Sequence, residues 1–304
     1  MSSILITGIA GGLARRTAAL LQGRGHVVTG VDYREAQPIP GVALHRASYD
    51  KTAIEDVFRR RSFDAVLHLG RVGNLTEEME KRFDLNVLGS QKIMNLCLSY
   101  GVRSLVVLST FHIYGANARN PTPISEGDPL RAGYDFPQIA DAIQLDNMAS
   151  TWVYQHAEVR AVVLRPTNVV GPHLQNAMSR LLRRSRIPYL AGYNPMIQLV
   201  HEDDLARAIV AASSGEARGV YNVAGGAAVP WRTALALAGA RTFPLPSSLV
   251  KGYLRAFSSF PEYLVNFVKY PCVISDAVFR QAFDWAPEKG VGETLVSTAA
   301  RASG

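Results

Sequence analysis

The sequence predicts an α/β fold, a doubly wound parallel sheet, from three observations. Short β-rich runs alternate with helical patterns through the first half of the chain. Those runs are apolar almost throughout, as strands covered on both faces are. The first of them, in "ILITGIAGGLARR" at 4–16, empties into a glycine-rich loop that opens a helix. Strand, helix, strand in repetition means parallel order with right-handed crossovers, which lays helices on both faces of one sheet.

The predicted strands are "ILIT" (4–7), "HVVTGVD" (26–32), "VALHRA" (42–47), "DAVLHLG" (64–70), "SLVVLST" (104–110) and "RAVVLRP" (160–166), with "VYNVAG" (220–225) added later. Helical patterns occupy 13–24, 51–61, 77–100 and about 139–156. Residues 1–170, rejoined by 220–225, form a first lobe, and 171–304 form mainly a smaller second lobe suited to holding a substrate. Within "PLPSSLVKGYLRAFSSFPEYLVNFVKYP" (244–271), Leu249, Tyr253, Leu254 and Phe257 recur at helical spacing. That pattern fits a lid, a partner groove, a membrane-skimming face or ordinary core packing.

A chain of 304 residues, 48% hydrophobic and 19% charged, can bury a sizeable core as one large domain or two unequal lobes. Its net charge of +7 is carried by arginine, since only six lysines occur. The arginines are scattered apart from short knots at 59–61 and 180–186, and no RNA-binding sheet signature accompanies them, so nucleic acid is not an expected partner. An anionic small ligand or a solvated basic face fits the charge equally well. Cys97 and Cys272 make no disulfide framework, and the seven histidines show no metal-ligand spacing. No leader pattern and no apolar run of about 18 residues is present, so a cytoplasmic protein is expected.

The opening loop carries the chemistry. Glycines at Gly8, Gly11 and Gly12 let the backbone approach a diphosphate, and the helix that follows supplies unpaired N–H groups and a positive dipole end. The next strand ends in Asp32, where a carboxylate accepts both hydroxyls of an adenosine ribose. A tight turn and a surface aspartate would explain each feature alone, but not their spacing. A carboxylate there repels a 2′-phosphate, so NAD is expected over NADP, with Arg34, Arg15 and Arg16 offsetting part of that repulsion.

Six ordered motifs carry a resemblance. "TGIAGGLA" (7–14), "LHLG" (67–70), "NVLGS" (86–90), "LSTFHIYG" (108–115), "LRPTNVVGP" (164–172) and "LVHEDDLARAI" (199–209) resemble the extended short-chain dehydrogenase/reductase family, the NAD-dependent sugar epimerases and dehydratases. The resemblance implies a Rossmann lobe and a homodimer built on the long helices beginning near 86 and 139. It implies cofactor contacts at Gly8, Gly11, Gly12, Leu13, Asp32, Leu69, Gly70 and Asn86. Thr110 falls where a hydroxyl bonds the reacting oxygen, Asn168 and His201 fall on the substrate side, and His201 with Asp204 falls where the second lobe is tied back.

One feature of that family is missing. Its chemistry depends on a tyrosine four residues before a lysine on one helix face, where the ammonium lowers the phenol pKa. Here no lysine lies between Lys92 and Lys251, and none of the twelve tyrosines has a lysine four residues on. Counting forward from "IYG" gives Tyr134 and Gln138, which makes Tyr134 the candidate base; counting back from "LRP" gives Ala140 and Gln144. Ile197 also stands where nucleotide-sugar members carry an arginine, leaving Arg180, Arg183, Arg184 or Arg186 to compensate. The substrate is expected to be a sugar nucleotide or a more hydrophobic small molecule. Two functions follow: hydride transfer with a rearranged base, or a dinucleotide-binding sensor or scaffold that has lost turnover.

Overall fold

A computed structural model describes residues 1–49, 51–73, 77–257 and 261–300. Its first half runs β1 (Ser3–Thr7), α1 (Gly12–Gly23), β2 (Val27–Asp32), β3 (Ala43–Arg46), α2 (Ala53–Arg60), β4 (Ala65–His68), α3 (Met79–Phe83), α4 (Gly89–Ser99), β5 (Ser104–Leu108), α5 (Ala132–Asp135), α6 (Ala140–Gln155) and β6 (Arg160–Pro166). Each expected strand appears with its ends within two residues of the sequence pattern. The long helix expected over 77–100 is interrupted by a π-helical turn at Asp84–Leu88.

The second half adds β7 (Asn168–Val170), α7 (Ala177–Leu182), β8 (Arg186–Leu190), β9 (Met196–Ile197), β10 (Leu199–His201), α8 (Glu202–Ser214), β11 (Gly219–Val223), β12 (Val229–Pro230), α9 (Trp231–Leu237), β13 (Arg241–Leu245), α10 (Val250–Phe257), α11 (Ala277–Phe283) and α12 (Val291–Ala299). Seven strands form one parallel sheet in the order β11-β6-β5-β4-β1-β2-β3. The chain moves outward from β1 to β3, then returns to place β4 on the other side of β1. That reversal opens a crevice at the carboxyl ends of β1 and β4.

Alternation along the strands divides the core in two. Leu5, Val66, Leu105 and Val163 face one apolar layer with Ile54, Phe58, Ile93 and Trp152 from α2, α4 and α6. Ile4, Ile6, Leu67, Val106 and Leu164 face the other, with Ala18, Leu21, Leu205, Ile209 and Phe279 from α1, α8 and α11. Leu5 is fully buried, so truncating it to alanine costs about 2–5 kcal/mol. α1 and α8 are also joined by an ion pair between Arg16 and Asp203.

Of the 244–271 segment, Leu264 and Phe267 pack in one apolar cluster with Phe111, Tyr114 and Phe136 of the first lobe. Val250, Leu264 and Phe267 are buried, Tyr253 and Leu254 half-buried, and Leu249 is exposed. The side chain of Phe257 lies outside the described residues. Among the described residues no helix is long and apolar enough to cross a membrane.

Candidate functional site

At the reversal point Gly8 has φ +77°, and a Cβ there would stand 2.6 Å from the Gly70 Cα. The two backbones therefore touch where β1 and β4 end. Gly11 caps α1 without a side chain, and among the described residues nothing accepts from the N–H groups of Gly12, Leu13 and Ala14. Three unclaimed donors on the positive end of a helix dipole suit an anionic group. A Cβ on Gly12 would lie 2.8 Å from the His173 carbonyl oxygen, so the loop after β7 roofs this helix start.

Asp32 ends β2 and is 1% exposed. Its Oδ2 accepts the Ala10 N–H at 3.0 Å, its Oδ1 accepts the Arg34 N–H at 2.9 Å, and the half-exposed Arg34 guanidinium rests on the same carboxylate at 3.2 and 3.3 Å. The glycine loop and the acid are thus joined by a hydrogen bond. Beneath them the Tyr49 hydroxyl accepts the Gly8 N–H at 2.8 Å, and burial raises that phenol's pKa.

A buried polar chain supports the β4 side. His68 pairs through Nδ1 with Thr7 Oγ1 and through Nε2 with Ser90 Oγ, both at 2.7 Å, while Thr7 Oγ1 accepts the Gly70 N–H at 3.2 Å. Burial lowers the His68 pKa to about 4. Asn86, on the π-helical turn, accepts the Val72 N–H at 2.7 Å and donates to the Val72 carbonyl and to Asp141 at 3.0 and 2.6 Å. Its amide is fully engaged and fully buried, so Asn86 holds the loop carrying Leu69 and Gly70 rather than reaching into the crevice itself.

At the end of β5, Thr110 is 5% exposed and caps a short 3-10 turn. Its Oγ1 lies 2.9 Å from His112 Nδ1, and His112 Nε2 is buried without a partner. Burial lowers the His112 pKa to about 3, with the Arg71 charge adding to the effect. Tyr134 is elsewhere: it sits on α5, 93% exposed, and among the described residues nothing orients its phenol. The buried face of α6 presents Asp141, Ala142, Leu145, Asp146 and Ala149, with neither phenol nor ammonium.

On the substrate side, Asn168 donates to the Gln198 carbonyl at 3.3 Å. His201 is 3% exposed and caps α8, its Nδ1 accepting the Asp203 N–H at 3.1 Å, which makes it a structural cap instead of a wall of the crevice. Asp204, at the start of α8, accepts the Glu288 and Lys289 N–H groups, both at 3.1 Å. Ile197 is in the core. Arg183 spends its guanidinium on the Gly171, Pro172 and Leu174 carbonyls, and Arg180 donates to the Gln175 carbonyl. A cavity of about 270 Å³ opens between the lobes, lined by Phe136, Gln138, Leu190, Val250, Tyr263 and Asn266 among others. Among the described residues no group of histidine, cysteine or carboxylate side chains could hold a metal.

The family model described as NAD dependent epimerase/dehydratase family matches residues 4–224. The chain belongs to that family. UDP-glucose 4-epimerase 3 of Oryza sativa subsp. japonica is 27% identical over 211 residues, covering 62% of this chain and 56% of that protein. An uncharacterized Mycobacterium bovis protein is 24% identical over 206 residues, covering 66% and 54%. The chain thus spans little more than half the length of these relatives. The Thermus thermophilus UDP-glucose 4-epimerase solved with NAD superposes with TM-score 0.77 at 23% identity, covering 98% of this chain and 97% of that one. A Bacillus anthracis dTDP-glucose 4,6-dehydratase, also solved with NAD, gives 0.77 at 17% identity, covering 98% and 96%. These likenesses establish the fold.

As an epimerase/dehydratase-family chain it also contains a network that motif reading missed. Asp146 accepts from Arg165 at 2.7 and 3.1 Å and from Ser109 at 2.5 Å; Arg165 donates to the Tyr114 hydroxyl at 2.9 Å, which donates to Asn222 at 2.8 Å. The "IYG" and "LRP" motifs are therefore two ends of one buried polar structure behind Thr110.

Proposed function

We propose that this family member binds NAD across the carboxyl ends of β1, β2 and β4 and acts by transient or net hydride transfer on a sugar nucleotide or another carbonyl or alcohol substrate. The observation that carries the reading is a single loop: its α1 amides are unclaimed, and its Ala10 N–H is fastened to the Asp32 carboxylate. The residues present fit the dinucleotide. The amides of Gly12, Leu13 and Ala14 would take the diphosphate, and Asp32 the adenosine ribose. NAD bound there would supply a hydride acceptor; Thr110 would orient the reacting oxygen from the end of β5, while residues 171–304 would close over the substrate. Outward-facing Leu88 and Tyr154, beside α4 and on α6, suit a homodimer seam.

A second reading, a dinucleotide-binding sensor or scaffold, is favoured by one observation: the buried face of α6 has neither tyrosine nor lysine. Calorimetry with NAD and NADP tests the shared premise. NAD should bind and NADP more weakly, because a 2′-phosphate would meet the Asp32 carboxylate; absence of heat with either dinucleotide rejects both readings. Reduction of bound NAD by UDP-glucose or UDP-glucuronic acid then separates enzyme from sensor.

A further inference from the structure

The apolar stripe of α10 borders a pocket. Val250, Tyr253 and Leu254, which share one helix face by their spacing, line it together with Trp231 of α9 and with Tyr189 and Leu245 of the paired strands β8 and β13. Val268, at the end of the 3-10 turn Glu262–Val268, is a further wall. The pocket measures about 50 Å³, on the order of four water molecules, and among the described residues Arg184 is the only charged group along it. A water needs several polar partners, and a lining of aliphatic and aromatic side chains offers few. Such a space suits a compact apolar group.

The pocket adjoins the 270 Å³ cavity between the lobes, since Leu190, Val250 and Val265 line both. Those three come from β8, α10 and the 3-10 turn, and so frame the junction. The larger cavity is the polar one, with Asp135, Gln138, Asn266 and Lys269 along it. Its wall leads to Thr110: the Tyr263 ring lies 6.0 Å from His112, whose Nδ1 is 2.9 Å from Thr110 Oγ1. A polar space with an apolar pocket beyond its junction matches a molecule with an oxygen at one end and an apolar group at the other.

The charges point the same way. A nucleotide sugar brings a diphosphate, which cationic forks hold best. Among the described residues the cations lining either cavity are Lys269 and Arg184, and Asp135 shares the cavity of Lys269. The Lys269 ammonium is engaged by the Tyr193 and Tyr270 rings, 5.0 Å from each centroid. Arg180 and Arg183 are spent on backbone carbonyls, and Ile197 is in the core.

We propose that the two cavities are one substrate site, built for a small ketone or alcohol bearing a compact alkyl or aryl group and not for a sugar nucleotide. The carbonyl or hydroxyl lies in the polar cavity, and the apolar group fills the pocket beside α10. As a statement about substrate, this rests on the reading that the crevice holds NAD.

The test titrates benzylacetone, acetone and UDP-glucose into the full chain by calorimetry, without NAD. Benzylacetone should bind with a negative heat-capacity change, and acetone should bind about 10- to 100-fold more weakly, the difference that one buried ring makes. UDP-glucose should not displace benzylacetone. Leu254→Trp and Val268→Phe, on different elements, each add bulk to the pocket. Each should weaken benzylacetone by about 10-fold or more while NAD affinity stays at the wild-type value. Thermal unfolding shows whether the variants fold, and the wild-type contrast between benzylacetone and acetone decides even where they do not. Equal affinity for the two ketones, no heat from benzylacetone at millimolar concentration, or its displacement by UDP-glucose overturns the inference. So does undiminished benzylacetone binding in both folded variants. Failure of NAD to bind while benzylacetone still does is a different result, which removes the hydride-transfer reading and leaves the apolar site in place.

Discussion

Arg165 grips Asp146 with two parallel hydrogen bonds, at 2.7 and 3.1 Å, and their side chains are 5% and 0% exposed. The pair joins α6 to β6, and Ser109 completes the carboxylate. Removing one partner leaves a buried charge alone, so Asp146→Ala should lower unfolding stability by about 3–5 kcal/mol. Replacing both by apolar residues, Asp146→Leu with Arg165→Met, should recover most of that loss. Urea unfolding midpoints check both outcomes.

Gly8→Ala is expected to damage the crevice for two separable reasons. The backbone there has φ +77°, and the new Cβ would press on the Gly70 Cα at 2.6 Å. Gly25 has φ +79° with nothing within 4 Å, so Gly25→Ala reports the backbone strain alone. Gly25→Ala should cost about 1 kcal/mol and leave NAD affinity unchanged. Gly8→Ala should cost more by thermal unfolding and also weaken NAD in calorimetry.

Asp32→Ala should weaken NAD binding by about 1–3 kcal/mol, the loss of charge-assisted hydrogen bonds to the ribose. The same change should narrow or invert the preference against NADP, since Arg34 would be freed from its carboxylate. Equal affinity of wild type and variant for NAD would show that the ribose is held elsewhere.

His68 predicts a pH dependence. Its folded pKa, about 4, is below the ordinary imidazole value because burial disfavours the charged ring. The unfolded chain therefore binds the extra proton first, and stability falls as pH drops from about 6.5 toward 4. The contribution lost across that window is on the order of 3 kcal/mol. Thermal unfolding against pH should be flatter for His68→Gln than for wild type over this range.

The sheet was legible in the sequence because its strands are nearly continuous apolar runs, and the crevice because Gly8, Gly11 and Asp32 stand at a spacing that local structure alone does not require. The π-helical turn was not legible: it depends on Asn86 clamping Val72 and Asp141, contacts made only once α6 has packed. Tyr134 was misplaced for a related reason. Counting from "IYG" ignores the path of the chain, which puts Tyr134 on the exposed side of the short α5 before α6 begins at Ala140.

Asp204 is 1% exposed and collects the Glu288 and Lys289 backbone donors as well as the Arg207 guanidinium. Glu288 and Lys289, just ahead of α12, are therefore latched to the first turn of α8, and α8 lies directly against α1, whose start forms the crevice. Clipping the polypeptide ahead of residue 288 would strip this carboxylate of two of its donors, and the disturbance would arrive at the glycine loop through α8. The turn ahead of α12 is thus a buttress for the glycine loop.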